Sequence, residues 1–450
     1  MRYTRAYILS IIKWVILSIL TGIACGFVGM AFHMGIGRAQ NLRLDLPWLL
    51  YLLPAAGILI LLIYKWLDVT GMSMNHVLAA SREGKPIPWK LVPAIFAGTI
   101  LTHLCGGSAG REGAALQIGG GIGNLIGRGF TLDKDDLNVV TLSGMAAFFS
   151  ALFGTPLTAT VFVVMLSSVG VVYHAALFPS ILASVTSYYI SLEMGVAPTR
   201  FHVEIPAQSL PMMGKVVVLA VLCGLVSILF CRALRWAAIG YRKFIPNPYV
   251  RVIIGGLLII GLTFLVGNRD YNGAGMDVIA RAIEEGRTAP FAFLLKILFT
   301  ALTIEAGFKG GEVVPTFFIG ATFGCIAGQI LHMPAGFAAA IGLMALFGGI
   351  TNSPLSSIFL AMELFGFDGY LYFAVAAIVT YSCSGYSSLY PGQKILFSKF
   401  SSKRIDIHAG EHPDVRGFRM FRPDLKIEEE PEADSDQTKG AEQPDPERKC

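Results

Sequence analysis

Charged side chains are scarce in this chain of 450 residues. Asp, Glu, Lys and Arg make up 14% of it, whereas about 25% is usual in a soluble globular protein. Only 43 of the first 400 residues are charged, because 22 charged residues fall in the last fifty. So few charges cannot cover the surface of a soluble globule of this size. The composition therefore argues against a soluble enzyme, a nucleic-acid-binding protein and a secreted module, and it predicts a polytopic membrane protein.

A cysteine framework and a cleavable signal are also lacking. The seven cysteines are scattered, odd in number and mostly inside apolar runs, so neither disulfides nor a metal site is predicted. No motif indicates a cofactor. The first apolar run, residues 8–32, is too long for a signal peptide and has no small-residue cleavage site. We expect it to be the first membrane helix.

Apolar runs fill the chain up to about residue 400. Several reach the ~20 residues that cross a hydrocarbon layer of ~30 Å, but others are shorter and are interrupted by Gly and Pro. Short helices occur at membrane depth only where protein or a water-filled cavity surrounds them, so we expect a cavity near the Gly-rich segments. We predict a first membrane repeat over residues 1–200, a second over 201–400, and a charged, disordered cytoplasmic tail over 401–450.

An internal repeat supports this division. Residues 110–127 align with residues 311–328 at a constant offset of 201, and residues 144–157 align with residues 342–355 at an offset of 198. The matched positions are Gly110/Gly311, Ile118/Ile319, Gly119/Gly320, Gly123/Gly324, Gly127/Gly328, Gly144/Gly342, Ala147/Ala345, Phe149/Phe347, Pro156/Pro354 and Leu157/Leu355. Two such halves are typical of repeat-built transporters. The spacing does not show whether the halves are inverted.

Glu112 is the strongest candidate for a functional side chain. It stands in Gly110-Arg111-Glu112-Gly113, at the head of a Gly-rich apolar helix, where a carboxylate is costly in a membrane. Amides at such a helix start make a small anion site. An ionised glutamate would occupy the place of the anion and leave it when protonated, so Glu112 would act as gate and proton carrier. A structural pair with Arg111 is the alternative.

Glu312 stands at the equivalent helix start of the second half, in Gly311-Glu312-Val313-Val314-Pro315. The offset places it opposite Arg111, so the halves are not chemically symmetric. Two interpretations remain open: a second ionisable group near the pathway, or an ordinary N-terminal helix carboxylate at a water boundary.

Three further side chains are weaker candidates. Met72 and Ser73 open a short segment after the second apolar run; a serine can donate to an anion and a thioether cannot, and a simple loop is about as plausible. Tyr390 precedes Pro391-Gly392 and offers a phenol donor, although tyrosines are common at membrane interfaces.

A different class of protein is suggested by residues 106–110. Gly106-Gly107-Ser108-Ala109-Gly110 fits the G-x-S-x-G nucleophile pattern of serine hydrolases. It lies between apolar runs and not after a strand, and only His103 or His76 would be available as a partner. A Gly-rich phosphate loop is weaker still, because residues 119–127 have no Lys-Ser/Thr ending.

Together the transport motifs resemble those of the CLC family of anion channels and proton-coupled anion exchangers, over most of residues 8–400. The resemblance is carried by Gly110-Arg111-Glu112-Gly113, by the G-x-x-x-P pattern from Gly311 to Pro315, by Pro156-Leu157 and Pro354-Leu355, and by Tyr390. The family implies an all-α, inverted-repeat fold with broken and short helices, assembled as a homodimer with one anion pathway per subunit. It also implies anion-binding roles for Met72, Ser73, Gly113, Val313, Val314 and Tyr390.

The departures from the family pattern indicate a branch. Met72 stands where the family's coordinating serine is expected, and Met165 ends a helix where chloride/proton exchangers carry an internal proton glutamate. Glu363, in the sister position of the second half, keeps its carboxylate, and Ala114 replaces the usual proline. These changes, with Glu312, resemble the bacterial fluoride/proton antiporters.

The resulting functional prediction is export of fluoride in exchange for protons, with Glu112 and Glu312 moving the proton. A chloride/proton exchanger or a passive chloride channel of the same fold remains the alternative. We expect no enzymatic activity, no metal and no nucleic-acid partner. The lipid bilayer is the expected surrounding: a bacterial inner membrane or plasma membrane, with both termini cytoplasmic.

Overall fold

Helices dominate the computed structural model of the chain, which describes residues 2–400 and 403–411. Within these residues there are sixteen α-helices and three short strands. Seven helical stretches in the same part of the chain are long and apolar enough to cross a membrane, among them Thr4–Asp45, Leu210–Phe244 and Val313–Ile330. The fold class is therefore the predicted one, a polytopic helical membrane protein.

The helices form two sets of eight in the same order. The first set is α1 (Arg2–Asp45), α2 (Leu53–Trp66), α3 (Met74–Glu83), α4 (Leu91–Leu104), α5 (Glu112–Gly129), α6 (Lys134–Phe153), α7 (Pro156–Leu166) and α8 (Leu177–Glu193). The second set is α9 (Leu210–Phe244), α10 (Pro248–Val266), α11 (Met276–Glu284), α12 (Ala292–Ala306), α13 (Val313–Ile330), α14 (Ala335–Thr351), α15 (Pro354–Phe365) and α16 (Tyr370–Cys383).

The two sets pack in the same way. Helix α1 lies against α4, α6 and α8, and α9 lies against α12, α14 and α16. Equivalent helices also meet across the halves, since α2 packs on α10, α5 on α13 and α7 on α15. The predicted repeat is thus present in the tertiary structure.

The boundaries of the short helices follow from a few residues. Helix α6 ends at Gly154 and α14 ends at Asn352, both with a left-handed backbone (φ +70° and +56°). Glycine and asparagine are the residues that adopt this conformation most readily. Pro156 and Pro354 then start α7 and α15, where the missing proline N–H leaves no hydrogen bond unmade.

The halves are inverted, as a backbone pairing at the centre shows. Gly110 and Gly311 form an antiparallel bridge: the Gly110 N–H donates to the Gly311 carbonyl at 2.6 Å, and the Gly311 N–H donates to the Gly110 carbonyl at 2.7 Å. These residues are equivalent in the repeat. Helices α5 and α13 therefore start side by side and run in opposite directions.

Glycines allow the closest helix approach within each half. A Cβ on Gly119 would overlap the carbonyl oxygen of Gly144, and a Cβ on Gly320 would overlap that of Gly342. The repeat-equivalent glycines are therefore the points at which α5 crosses α6 and α13 crosses α14. Small residues at such crossings are typical of helix packing in membranes.

A small sheet joins the segment after α16 to the end of α7. Strand β2 (Lys394–Phe397) pairs in parallel with β1 (Ser168–Val169) and antiparallel with β3 (Arg404–His408). The part of the predicted tail at residues 404–408 is thus a strand. The remainder of that tail, residues 412–450, lies outside the described residues and stays a prediction.

Candidate ion site and its cavity

The Glu112 carboxylate lies where the two halves meet. The side chain is fully buried, and its Oε2 accepts hydrogen bonds from the Arg111 N–H at 2.9 Å and the Val314 N–H at 3.2 Å. Val314 belongs to the first turn of α13, where amides have no intrahelical acceptor. Glu112 thus holds an anionic group against the helix start of the opposite half.

The second oxygen of Glu112 has no hydrogen bond within the described part of the chain. Arg111 Nε lies 3.7 Å from this Oε1, longer than a charge-assisted hydrogen bond. The Arg111 guanidinium instead donates to His33 Nδ1 at 2.9 Å and to the Leu152 carbonyl at 3.4 Å. The Arg111 guanidinium therefore lies near the charge of Glu112 without a hydrogen bond to its carboxylate.

Glu312 lies against the helix start of the first half. A Cβ placed on Gly113 would be 3.3 Å from Glu312 Oε2, and Gly113 is in the first turn of α5. Each carboxylate, Glu112 and Glu312, therefore approaches the first turn of the helix that belongs to the other half. Among the described residues, only Glu112 accepts a hydrogen bond from an amide of that opposite helix.

A cavity of about 510 Å³ opens beside Glu312. Several predicted site residues line it together: Met72, Ser73, Glu312 and Tyr390. Gly113, Val313 and Val314 are buried at the two helix starts beyond it. The structure thus brings the predicted site residues into one region.

The Ser73 hydroxyl already has a hydrogen-bond partner within the protein. It is within hydrogen-bond distance of His76 Nδ1 (3.2 Å), and the Ser73 N–H also donates to that nitrogen (3.2 Å). Ser73 precedes α3 and caps its first turn. Its neighbour Met72 presents a thioether to the cavity, which cannot donate a hydrogen bond.

The phenol of Tyr390 is buried and has no hydrogen-bond partner within the described residues. Its loop is held by Gln393, whose amide donates to the carbonyls of Leu166 and Thr351 at 3.0 Å each. Ser388 donates to the Gln393 amide oxygen and accepts from the Tyr390 N–H. The hydroxyl is therefore fixed in place with its donor unused.

Glu363 caps the start of α7. It accepts hydrogen bonds from the Leu157 N–H (3.0 Å), the Thr158 N–H (2.9 Å) and the Thr158 hydroxyl (2.6 Å). The repeat equivalents of Glu363 and Thr158 are Met165 and Ser356, and the Ser356 hydroxyl has no partner among the described residues. With Met165 in the equivalent position, α15 lacks the carboxylate cap that Glu363 gives to α7.

The serine-hydrolase pattern has no matching geometry. The Ser108 hydroxyl is hydrogen-bonded to the Thr300 hydroxyl at 3.1 Å, and His103 Nδ1 is bonded to the Thr99 carbonyl at 2.9 Å. Serine and histidine are therefore not paired as nucleophile and base.

The sequence analysis did not predict four ionisable residues that also line the cavity. These are Arg235, Arg242, Glu305 and Lys309. Glu305 carried a usable signal, because it is an acidic residue near the end of the apolar run that forms α12. The cations lie near the ends of apolar runs, where basic residues are common at membrane interfaces and do not stand out.

An inverted helical repeat with ionisable residues at its centre is typical of a membrane transport protein. The chain belongs to the voltage gated chloride channel (CLC) family, whose profile matches residues 56–385. Members of this family are transporters and channels, and the resemblance seen in the sequence is confirmed.

Individual relatives cover most of the chain. A chloride/fluoride channel protein of Pseudomonas syringae pv. tomato is 33% identical over 399 residues, which cover 86% of this chain and 88% of the relative. An H(+)/Cl(-) exchange transporter ClcA of Vibrio cholerae is 26% identical over 387 residues, covering 77% and 81%. The crystal structure of a CLC-type fluoride/proton antiporter matches with a TM-score of 0.83 at 32% identity, over 86% of this chain and 99% of that one. The chain therefore has the CLC-type anion/proton antiporter fold.

Proposed function

We propose that this protein exports fluoride in exchange for protons, with Glu112 as the gate and proton carrier. The observation that carries the proposal is the buried Glu112 carboxylate, which takes the Val314 amide of the opposite half as its donor while its other oxygen stays without a hydrogen bond among the described residues. A carboxylate held in this way competes with a small anion for the same donor.

A transport cycle follows from this competition between the Glu112 carboxylate and the anion for the Val314 amide. Protonation removes the charge of Glu112 and weakens its hydrogen bonds to the Val314 and Arg111 amides, since charge-assisted hydrogen bonds are roughly twice as strong as neutral ones. The released donors then bind fluoride. The residues that we assign to the anion are Met72, Ser73, Gly113, Val313, Val314 and Tyr390. Glu312, between the cavity and Gly113, exchanges the proton with Glu112.

Fluoride is favoured over chloride by what lines the cavity. Met72 replaces a hydroxyl donor with a thioether, and the Ser73 hydroxyl is occupied by His76. The similarity to a chloride/fluoride channel protein and to a fluoride/proton antiporter supports the same anion. The alternative is a chloride/proton exchanger or passive chloride channel, which the more distant exchange transporter supports.

We propose a homodimer for the assembly, with one pathway per subunit and both termini on the cytoplasmic side of a bacterial inner membrane or plasma membrane. Exposed apolar side chains, such as Phe27 of α1, Leu225 of α9 and Leu355 of α15, support contact with lipid or with a second subunit. The division into repeats at about residue 200 is proposed from the two sets of eight helices.

The test is ion flux from liposomes that contain the purified protein, followed with fluoride and chloride electrodes and a pH probe. Fluoride efflux should drive protons in the opposite direction with little chloride movement. Comparable chloride flux would contradict the fluoride assignment.

The role of Glu112 is tested in the same liposomes with Glu112→Gln. Gln cannot carry the proton, so fluoride should move without proton movement or not at all. Glu193→Gln removes an exposed carboxylate at the end of α8 and should behave as wild type. Proton coupling that survives in Glu112→Gln would overturn the role of Glu112.

A further inference from the structure

One carboxylate in the cavity has no part in the exchange described so far. Glu305 is the penultimate residue of α12, and it lines the cavity together with Glu312 and Tyr390. Its side chain forms no hydrogen bond and no ion pair within the described residues. It is half-buried, so its carboxylate reaches the cavity without a partner to hold it.

The position of Glu305 is unfavourable for a purely structural carboxylate. The end of a helix carries the negative pole of its dipole, which opposes an anion. The preceding residues of α12 are mainly apolar, and ionisable residues within such segments are costly. The repeat equivalent of Glu305 in α4, at the offset of 201, is Leu104. The fold itself therefore does not require an acid at this place.

The cavity connects Glu305 to the central site. Arg242 from α9 lines the same cavity as Glu305 and Glu312. Glu312 also lies against Gly113, with 3.3 Å between its Oε2 and a Cβ placed on that glycine, and Gly113 is the neighbour of Glu112 in the chain. The three carboxylates thus follow one another from the cavity to the buried centre.

The equivalent positions in the first half carry no acid. The repeat equivalents of Glu305 and Glu312 are Leu104 and Arg111, so a cation and an apolar residue stand where the cavity side has two acids. Because the halves are inverted, these pairs lie on opposite sides of the central bridge. Of these four positions, only the two in the second half carry a carboxylate that can exchange a proton.

We propose that Glu305 is a proton-relay residue on the cavity side of Glu312, and that it exchanges protons between water in the cavity and Glu312. The proposal rests on the proposed proton-coupled function. A proton leaving Glu112 passes to the Glu312 carboxylate, then to the Glu305 carboxylate, and finally to water; each transfer breaks one O–H bond and forms another. A cavity of about 510 Å³ has room for water, which takes about 30 Å³ per molecule in the liquid.

The experiment compares Glu305→Gln, Glu305→His and Glu305→Asp in full-length protein in liposomes. Gln removes the proton carrier, and we expect coupled proton and fluoride flux to fall at least about tenfold, since positioned proton transfer typically contributes a factor of 10²–10⁴. His is not acidic but titrates near neutral pH, so it should restore proton movement. Glu285→Gln, which removes an exposed carboxylate outside the cavity, is the matched control and should leave the flux unchanged.

Three outcomes would overturn the proposal. Wild-type flux in Glu305→Gln would show that no proton passes through this residue. Rescue by Asp but not by His would show that the negative charge, and not proton exchange, is what matters beside Arg242. Absence of any proton movement in the wild type would instead refute the proposed function on which this inference rests, and the control measurement distinguishes that case. Elution of each variant as a single species in detergent checks that it has folded.

Discussion

At the scale of residues, the centre of the protein holds two carboxylates, and each approaches the first turn of a helix that belongs to the other half. Glu112 binds the amide of Val314, and Glu312 lies against Gly113. The arrangement is symmetric in position but not in chemistry, because Arg111 occupies the place that Glu312 has in the other half. The two helix starts therefore carry different ionisable groups, Arg111 at one and Glu312 at the other.

Met72→Ser tests the anion selectivity at this scale. A hydroxyl would offer chloride a donor that the thioether lacks. Because Met72 stands where the family's coordinating serine is expected, the serine restores that donor, and we expect chloride flux relative to fluoride flux to rise. The two electrodes in the liposome assay measure the ratio. Met194→Ser, at an exposed position after α8, is the control; an unchanged ratio in Met72→Ser would remove Met72 from the selectivity argument.

At the scale of elements, glycine decides how closely the central helices approach. Gly119 and Gly320 meet the backbones of Gly144 and Gly342 with no room for a side chain. These contacts keep α5 against α6 and α13 against α14, and they thereby fix the directions of the two helix starts. The matching glycines in the sequence repeat are thus packing positions, in addition to marking the repeat.

Gly119→Ala should destabilise the protein, because its methyl group would force α5 away from α6. Overpacking of this kind typically costs about 1–3 kcal/mol, and we expect a lower melting temperature in detergent. Gly261→Ala is a matched control in α10, where a Cβ would have nothing within 4 Å. Equal melting temperatures for the two variants would contradict the packing argument.

At the scale of the whole molecule, the last described segment holds the site in place. The Ala409 N–H donates to the Gln393 carbonyl at 2.9 Å, and Gln393 holds the loop of Tyr390. Lys399 donates to the Tyr381 carbonyl at 2.8 Å and the Ser384 hydroxyl at 2.9 Å. Both acceptors lie at the C-terminal end of α16. The segment up to residue 411 is therefore part of the transport unit.

Truncation tests this role. A chain ending at Glu411 keeps every described contact of the site and should transport as the full-length protein does. A chain ending at Phe397 loses β3 and Lys399, and its fluoride flux should fall because the loop of Tyr390 loses its support. Flux in liposomes, normalised to inserted protein, compares the two; equal flux would show that the segment has no such role.

Much of the site could be predicted because its residues are unusual where they stand. Glu112 is conspicuous as a carboxylate between glycines at the start of an apolar helix, and Met72 as a departure from a family motif. Glu305 was missed because a single acid near the end of an apolar run resembles an ordinary helix end. Its significance depends on the cavity, to which α9, α12 and the Tyr390 loop contribute from distant parts of the chain.

The sequence by itself determined the membrane setting, the helical class, the two-fold repeat and the family, since these depend on composition and on local patterns of Gly, Pro and apolar residues. Spacing alone left the direction of the halves open, and only the tertiary structure decided that Glu112 takes one of its donors from the opposite half and that Glu305 shares a cavity with Glu312. The physical reason is that spacing along a chain carries no direction in space. The bridge between Gly110 and Gly311 joins residues 201 positions apart, and only folding brings them into contact.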